Sequence, residues 1–175
     1  KALGTGAVVL NNGTGFHTLE SSKTVGVTNR VGVYGAVNTS SSDARNGVLQ
    51  LNGPVILHGP ATFKVYRDGN GSRTLSLQGT VTDNGSGYSV TKELAGELYI
   101  GAVCSYTGGF FANNGLTVVQ HATALGQSVV GVTAPTANDE RIRLALDFTL
   151  DNTLLGQGRI NTQTYTLTST GTISP

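Results

Sequence analysis

The carboxylates are the side chains of this sequence best suited to chemistry, and their spacing decides which chemistry is open to them. Cleaving a glycosidic bond needs two acids on one exposed face, or an acid with a basic partner beside it. Glu20, Asp43, Asp68, Asp83, Glu93, Glu97, Asp139, Glu140, Asp147 and Asp151 are instead scattered along the chain. Only Asp147 and Asp151, with Arg143 and Arg159 near in sequence and Asp139 and Glu140 just before them, form a group worth locating in space. Arg143 and Asp147 stand four apart, which on a strand puts them on one side and predicts a solvated ion pair rather than a catalytic pair.

The other reactive types are equally sparse. Cys104 is the one cysteine, so no internal disulfide forms; it follows Ile100-Gly-Ala-Val and is expected to be buried as a small apolar residue. His17, His58 and His121 have no sequence relation to it that would make it a nucleophile. Asp68-Gly-Asn-Gly71 and Asp83-Asn-Gly-Ser-Gly87 offer oxygen-rich turns of the sort that hold calcium, but neither has the acidic complement of a calcium loop, and Asp and Asn belong in turns on their own account. No cofactor is expected. Asn12, Asn38, Asn70 and Asn84 lie in Asn-x-Ser/Thr sequons, which chance supplies in a chain so rich in Asn, Gly and Thr. Tyr34, Tyr66, Tyr88, Tyr99 and Tyr106, with Phe110 and Phe111, offer rings for a sugar-stacking face or for stacking within a core.

The elements that position these residues read as strands. Only 12% of residues are charged, about half the usual share, and Gly supplies 25 of 175; charged, Ala-rich helix surfaces are missing. A chain that is 38% apolar still carries enough Val, Leu and Ile to bury a core without disulfide staples. A formal charge of +1 gives no electrostatic case for binding nucleic acid, and no apolar run reaches the ~18 residues of a membrane span. The chain contains no Met, which predicts a processed product or a fragment, so the absence of an export signal says nothing about address.

Strand signals run from Gly6 to Leu10, Phe16 to Leu19, Thr24 to Thr28 and Val31 to Val37, with turns at Asn11-Asn-Gly-Thr-Gly15 and Asn29-Arg30. Thr39 to Gly47 is the one long polar stretch and is expected to be a surface loop. Leu49-Gln-Leu51, Val55-Ile-Leu57, Phe63-Lys-Val65, Leu75-Ser-Leu77, Tyr88-Ser-Val90, Leu98-Tyr-Ile100 and Leu116-Thr-Val118 then repeat as apolar-x-apolar triplets. Taken three to a coil, they predict ladders such as Leu51, Leu77, Ile100 and Val118, the rhythm of a solenoid with coils of about 20–30 residues. Each coil buries its inward Leu and Val only against the next. A β-sandwich, with strands at about 8–12-residue spacing, is the alternative. Pro54 and Pro60 lack the amide proton of a central strand and are expected at corners. Ala137 to Leu146 has a helix N-cap in Asn138 or Asp139, but Arg141 and Arg143 alternate with Ile142, Leu144 and Leu146, which reads as a strand after an acidic turn. Thr164 to Leu167 and Thr172 to Ile173 return to the strand rhythm.

Ala124-Leu125-Gly126 before Val129-Val130 echoes Ala2-Leu3-Gly4 before Val8-Val9-Leu10, as if one repeat unit were followed by part of a second. Together with Tyr106-Thr107-Gly108-Gly109 and Asn114-Gly115-Leu116-Thr117-Val118, this phrase resembles the passenger-associated transport repeat of autotransporters and related bacterial surface proteins. Leu75 to Gly87, Val90-Thr-Lys92 and Gly96 to Ile100 before it, and Leu155 to Ile160 and Ser169 to Pro175 after it, are similar to the flanking phrases of such repeats. The likeness covers about two thirds of the chain and is poorest over 30–44 and 133–147. It implies a right-handed parallel β-helix on a cell surface, a single module over 1–175 with no catalytic residues of its own. The expected role is a stalk or filament body for adhesion or matrix formation, its partner a further copy or the next repeat, and surface glycans a further partner class. A carbohydrate-binding or polysaccharide-degrading β-helix is the competing reading.

Overall fold

Six of the seven triplets build strands and wind into coils; of Tyr88-Ser-Val90 only Val90 lies in a strand, which runs on to Glu93. The computed structural model describes residues 4–11, 17–18, 23–39, 47–68, 71–136 and 138–174 and is an all-β parallel β-helix. Residues 40–46 of the surface loop expected at 39–47, the repeat's opening Ala2-Leu3, the acids Glu20 and Asp43, residues 12–15 of the first turn and 69–70 of the turn at 68–71 lie outside the described residues; Thr39, expected in the loop, ends the strand Ala36–Thr39 and is buried.

The first coil carries β1 (Val8–Leu10), β2 (His17–Thr18) and β3 (Val25–Val27), and the next carries β4 (Val31–Val33), β5 (Ala36–Thr39) and β6 (Val48–Leu51). The run Val31 to Val37 is thus broken in two by a corner at Tyr34-Gly35. After β7 (Val55–Leu57) and β8 (Ala61–Val65), a short antiparallel excursion of β9 (Arg67–Asp68) and β10 (Gly71–Ser72) precedes β11 (Thr74–Leu77). Then follow β12 (Val81–Thr82), β13 (Val90–Glu93) and β14 (Glu97–Ile100), and β15 (Phe110–Ala112), β16 (Leu116–Val119), β17 (Val129–Thr133) and β18 (Glu140–Leu144). The last coils hold β19 (Phe148–Leu150), β20 (Thr153–Gln157), β21 (Arg159–Asn161), β22 (Leu167–Ser169) and β23 (Ile173–Ser174).

Strands at the same place in successive coils pair in parallel and form three long faces. Face one runs β1-β4-β7-β12 and is extended by a single bridge from Val81 to Cys104. Face two is the 8-stranded sheet β2-β5-β8-β13-β15-β17-β20-β23, and face three the 7-stranded sheet from β3 to β21. Apart from the β9–β10 excursion every strand pairing described is parallel, which rules out the sandwich of antiparallel strands. Pro54 and Pro60 stand at corners, each just before a strand, and Glu140–Leu144 is a strand and not a helix.

The two Ala-Leu-Gly phrases do not mark equivalent places in the coil. Val8–Leu10 lies on face one, whereas Val129–Thr133 lies on face two. Between Cys104 and β19, face one has no strand among the described residues; Ala122 to Leu125 form a turn closed by Ala124 N–H to His121 C=O (3.1 Å) and Gly126 N–H to Thr123 C=O (3.1 Å).

The bore is filled by ladders of inward side chains. Leu51, Leu77 and Ile100 stack as expected, each about 1% exposed, but the next rung is Val119 and not Val118. Leu116-Thr-Val118 reads as apolar-x-apolar, yet β16 turns the other way: Thr117 faces inward opposite Leu98, and Val118 faces outward beside Tyr99. The alternation of a strand permits either parity, and here the buried Val119 decides it. The consequence is a Thr117 hydroxyl sealed in the core with no hydrogen-bond partner. Thr117→Val keeps the shape and removes that hydroxyl, so it is expected to stabilise the fold by about 1 kcal/mol, read as a rise in the urea midpoint; a fall would mean that the hydroxyl has a partner.

Candidate functional site

The motif phrases come together at one corner of the helix. Tyr106 is 1% exposed; its ring lies against Gly126 and its hydroxyl donates to the Ala124 carbonyl at 3.1 Å. Gly126 has φ +71, and a Cβ there would stand 2.4 Å from the Tyr106 ring, so only glycine fits both the turn and the packing. Leu125 is buried beside Ala124. Gly109 takes φ +93, and a Cβ on Gly108 would meet the Gly87 carbonyl at 2.3 Å, which lets the two coils approach. Tyr106, Thr107, Gly108, Gly109, Ala124, Leu125 and Gly126 thus share one corner, where each has a packing or turn role.

Asp83 ties this corner to the coil before it. One carboxylate oxygen accepts the Gly85 N–H (2.9 Å); the other accepts the Tyr88 N–H (2.9 Å), the Thr107 N–H (3.1 Å) and the Thr107 hydroxyl (2.8 Å). Burial pushes the Asp83 carboxyl up, but the bonds from Thr107, Gly85 and Tyr88 together hold it below its usual value. Both oxygens are engaged by N–H and O–H donors, the arrangement of a turn. Among the described residues no group of three His, Cys, Asp or Glu side chains gathers to hold a metal.

Lys92 is the charged residue that sequence reading missed. It faces inward between Phe63 and Ala112, fully buried, and its ammonium donates to the carbonyls of Glu93 (2.9 Å), Leu94 (2.6 Å) and Asn114 (3.0 Å). Leu94 takes the left-handed φ of 63°, costly for a bulky residue, and the ammonium clamps its carbonyl in that turn. Burial pushes Lys92 down to about 7, with the Arg141 charge acting the same way and Glu93 and Glu97 opposing. The signal was present in parity: Val90 faces inward, so Lys92 must as well.

The acids singled out for catalysis do not assemble. Asp147 accepts the Thr166 N–H at 2.8 Å, and Asp151 accepts the Thr170 hydroxyl. Arg143 bonds Glu140 at 2.6 Å and not Asp147, because the strand ends at Leu144 and a corner intervenes. Glu140 also takes Arg159 (3.1 Å) and Asn161 (3.1 Å). Burial opposes its ionisation, yet Arg143, Asn161 and Arg159 hold Glu140 below its ordinary value. Asp139 closes the preceding turn by accepting the Thr136 N–H and lies 3.8 Å from Arg141.

Cys104 is 2% exposed, its thiol donates to the Ala102 carbonyl (3.6 Å), and burial pushes it up to about 12. His121 does approach it, but through Thr123, whose hydroxyl oxygen accepts the Cys104 N–H at 3.1 Å; the sulfur is not activated. Among the described residues the aromatic side chains form no row. Tyr106 and Phe110 are core, Tyr88 packs against the core, Tyr34 stacks on His58 with ring centroids 4.5 Å apart, and Tyr66 is exposed.

The class these features define is a parallel β-helix whose conspicuous polar contacts are made at its corners. Comparison with family models, with curated proteins and with solved structures gives no match to the chain.

Proposed function

We propose that the chain is a non-enzymatic structural module of a bacterial cell-surface protein of the autotransporter-passenger kind. In this reading it is extracellular and forms part of a stalk or filament that supports adhesion or matrix formation. The observation that carries the proposal is the set of apolar rungs left partly exposed on the last described coil. Leu154, Ile160 and Leu167 continue the inward ladders of Val130, Ile142 and Phe148 but are only half-buried, and Ile173 is 64% exposed. Ile160, Leu167 and Ile173 lie on β21, β22 and β23, each of which pairs on one side only among the described strands, while Leu154 on β20 is covered only by the exposed Ile173. Apolar rungs and free strand edges together make a template for another coil. The coil that covers them belongs to a second copy or to a further module of one chain, joined head to tail.

The mechanical role follows from the pairing direction. Backbone hydrogen bonds run along the axis between coils, so extending the solenoid loads all three faces at once. The polysaccharide-degrading alternative needs free acids on one face, and Asp147 and Asp151 are engaged with Thr166 and Thr170. Electron microscopy of the purified protein alongside its intact mass tests the reading. Filaments with an axial repeat of one copy are expected; discrete particles of 18.0 kDa at high concentration would oppose it.

A further inference from the structure

The outer side of face three carries a cleft of about 310 Å³ whose lining holds no charged side chain. Gln50, Ser76 and Tyr99 stand in register on successive strands β6, β11 and β14, all pointing outward. Along the next row, the backbone amides of Gln78, Gly101 and Gln120 bond Leu51, Leu77 and Ile100 in turn, which places Gln78 and Gln120 on either side of a glycine. That glycine shapes the cleft. A Cβ on Gly101 would lie 2.6 Å from Gln78 Oε1, so the missing side chain gives the Gln78 amide its place, and the amide is braced by donating to Ser76 Oγ at 2.7 Å.

The lining is matched to one chemistry. Gln50 and Gln120 each offer two donors and an acceptor, and Gln78, with one N–H given to the buried Ser76 hydroxyl, keeps a donor and an acceptor, so together they pair with groups that both give and accept hydrogen bonds. Tyr99 adds an apolar ring, with its own hydroxyl held by Glu97 at 3.2 Å. The lining itself carries no charge; Glu97 at the Tyr99 hydroxyl and Arg143 stand beside it, but Arg143 is already paired with Glu140, so an ionic ligand gains little for the hydration it loses. A sugar offers hydroxyls on its rim and C–H groups on its face, which answers both the amides and the ring. Coils repeat every ~4.8 Å, close to the length of a pyranose, so successive sugars of a linear chain meet successive coils.

We propose that this cleft binds a neutral, linear oligosaccharide or polysaccharide lying along the solenoid axis, its hydroxyls on Gln50, Gln78 and Gln120 and one ring on Tyr99. The site is independent of the end-to-end reading, since it lies on the flank. Single-site affinity is modest because few groups are buried, and a stack of modules would raise it through multivalency.

Titrating the ¹⁵N-labelled protein with maltohexaose, cellohexaose and mannohexaose, and with hexagalacturonate as the charged comparison, tests the proposal by NMR. At least one neutral hexamer is expected to shift the side-chain NH₂ signals of Gln50, Gln78 and Gln120 in a saturable way below about 10 mM. Tyr99→Ala is expected to weaken that binding about tenfold, and Gly101→Ala, by displacing the Gln78 amide, to weaken it as well. Both variants are checked for an unchanged β-sheet circular dichroism spectrum, and Gln120→Ala supplies an outward, surface substitution if either fails to fold. No shift at these amides with any neutral hexamer, a larger shift with hexagalacturonate, or wild-type binding by Tyr99→Ala with Gln120→Ala would each overturn it.

Discussion

Replacing Lys92 by Met is expected to cost about 2–4 kcal/mol of stability at pH 7, because the carbonyls of Glu93, Leu94 and Asn114 lose their shared donor in the core. The same substitution is expected to change how stability depends on pH. Burial depresses the folded-state value of Lys92 from 10.5 to about 7, so between those values the unfolded chain holds a proton that the folded chain has released. Stability must then rise with pH across that window, by up to about 1.4 kcal/mol per unit. Cys104 and Tyr106 act in the opposite sense. Both are acids whose folded-state values burial raises, Cys104 to about 12, so their contributions are complete at low pH and are lost above the unfolded thiol and phenol values of about 8.5 and 10. The sum is a rise from pH 7 to about 8.5, a plateau to about 10, and a fall beyond. Urea titrations from pH 6 to 11 check this. A wild-type profile flat from pH 7 to 8.5, or the same rise in Lys92→Met, would show that the ammonium is not desolvated as the geometry requires.

The second large effect belongs to the Tyr106–Gly126 corner. Tyr106→Ala empties a fully buried aromatic site and is expected to cost about 3–5 kcal/mol. Tyr106→Phe removes only the bond to the Ala124 carbonyl and is expected to cost about 1–1.5 kcal/mol. Gly126→Ala forces a side chain into φ +71, about 1–2 kcal/mol by itself, and drives its Cβ to 2.4 Å from the ring. In the Tyr106→Ala background the ring is gone and only the backbone cost remains. A double-mutant cycle is therefore expected to show coupling of at least about 1 kcal/mol. Additive effects would mean that the two motif phrases do not act as one corner.

Where the strands run was legible because Leu49-Gln-Leu51, Leu75-Ser-Leu77 and Leu98-Tyr-Ile100 alternate cleanly, and those residues do stack rung on rung. Parity was legible where a single polar residue or Tyr stood between two apolar ones with no third apolar residue directly after them. At Leu116-Thr-Val118-Val119 a short Thr between apolar neighbours leaves two parities open, and the wrong one looks better by eye. Corners were harder still. Arg143 and Asp147 satisfy a four-residue spacing on a continuous strand, but the chain turns after Leu144 and gives Arg143 to Glu140 instead. Lys92 was missed for a different reason: a lysine is read as solvated by habit, whereas its place in the alternation fixes it inside. The flank cleft needs Gln50, Gln78, Tyr99 and Gln120 from separate coils, and no local pattern in the sequence brings them together.

Sedimentation equilibrium from micromolar to millimolar concentration, run on the wild-type chain and on Ile173→Asp, tests end-to-end stacking most directly. Ile173 is 64% exposed on the last described coil, so its replacement leaves the body of the fold alone while placing a charge beside the partly exposed rungs. The wild-type mass is expected to climb above 18.0 kDa as concentration rises, and the variant to stay there. A wild-type chain that remains at 18.0 kDa throughout, or a variant that associates equally well, would contradict the account.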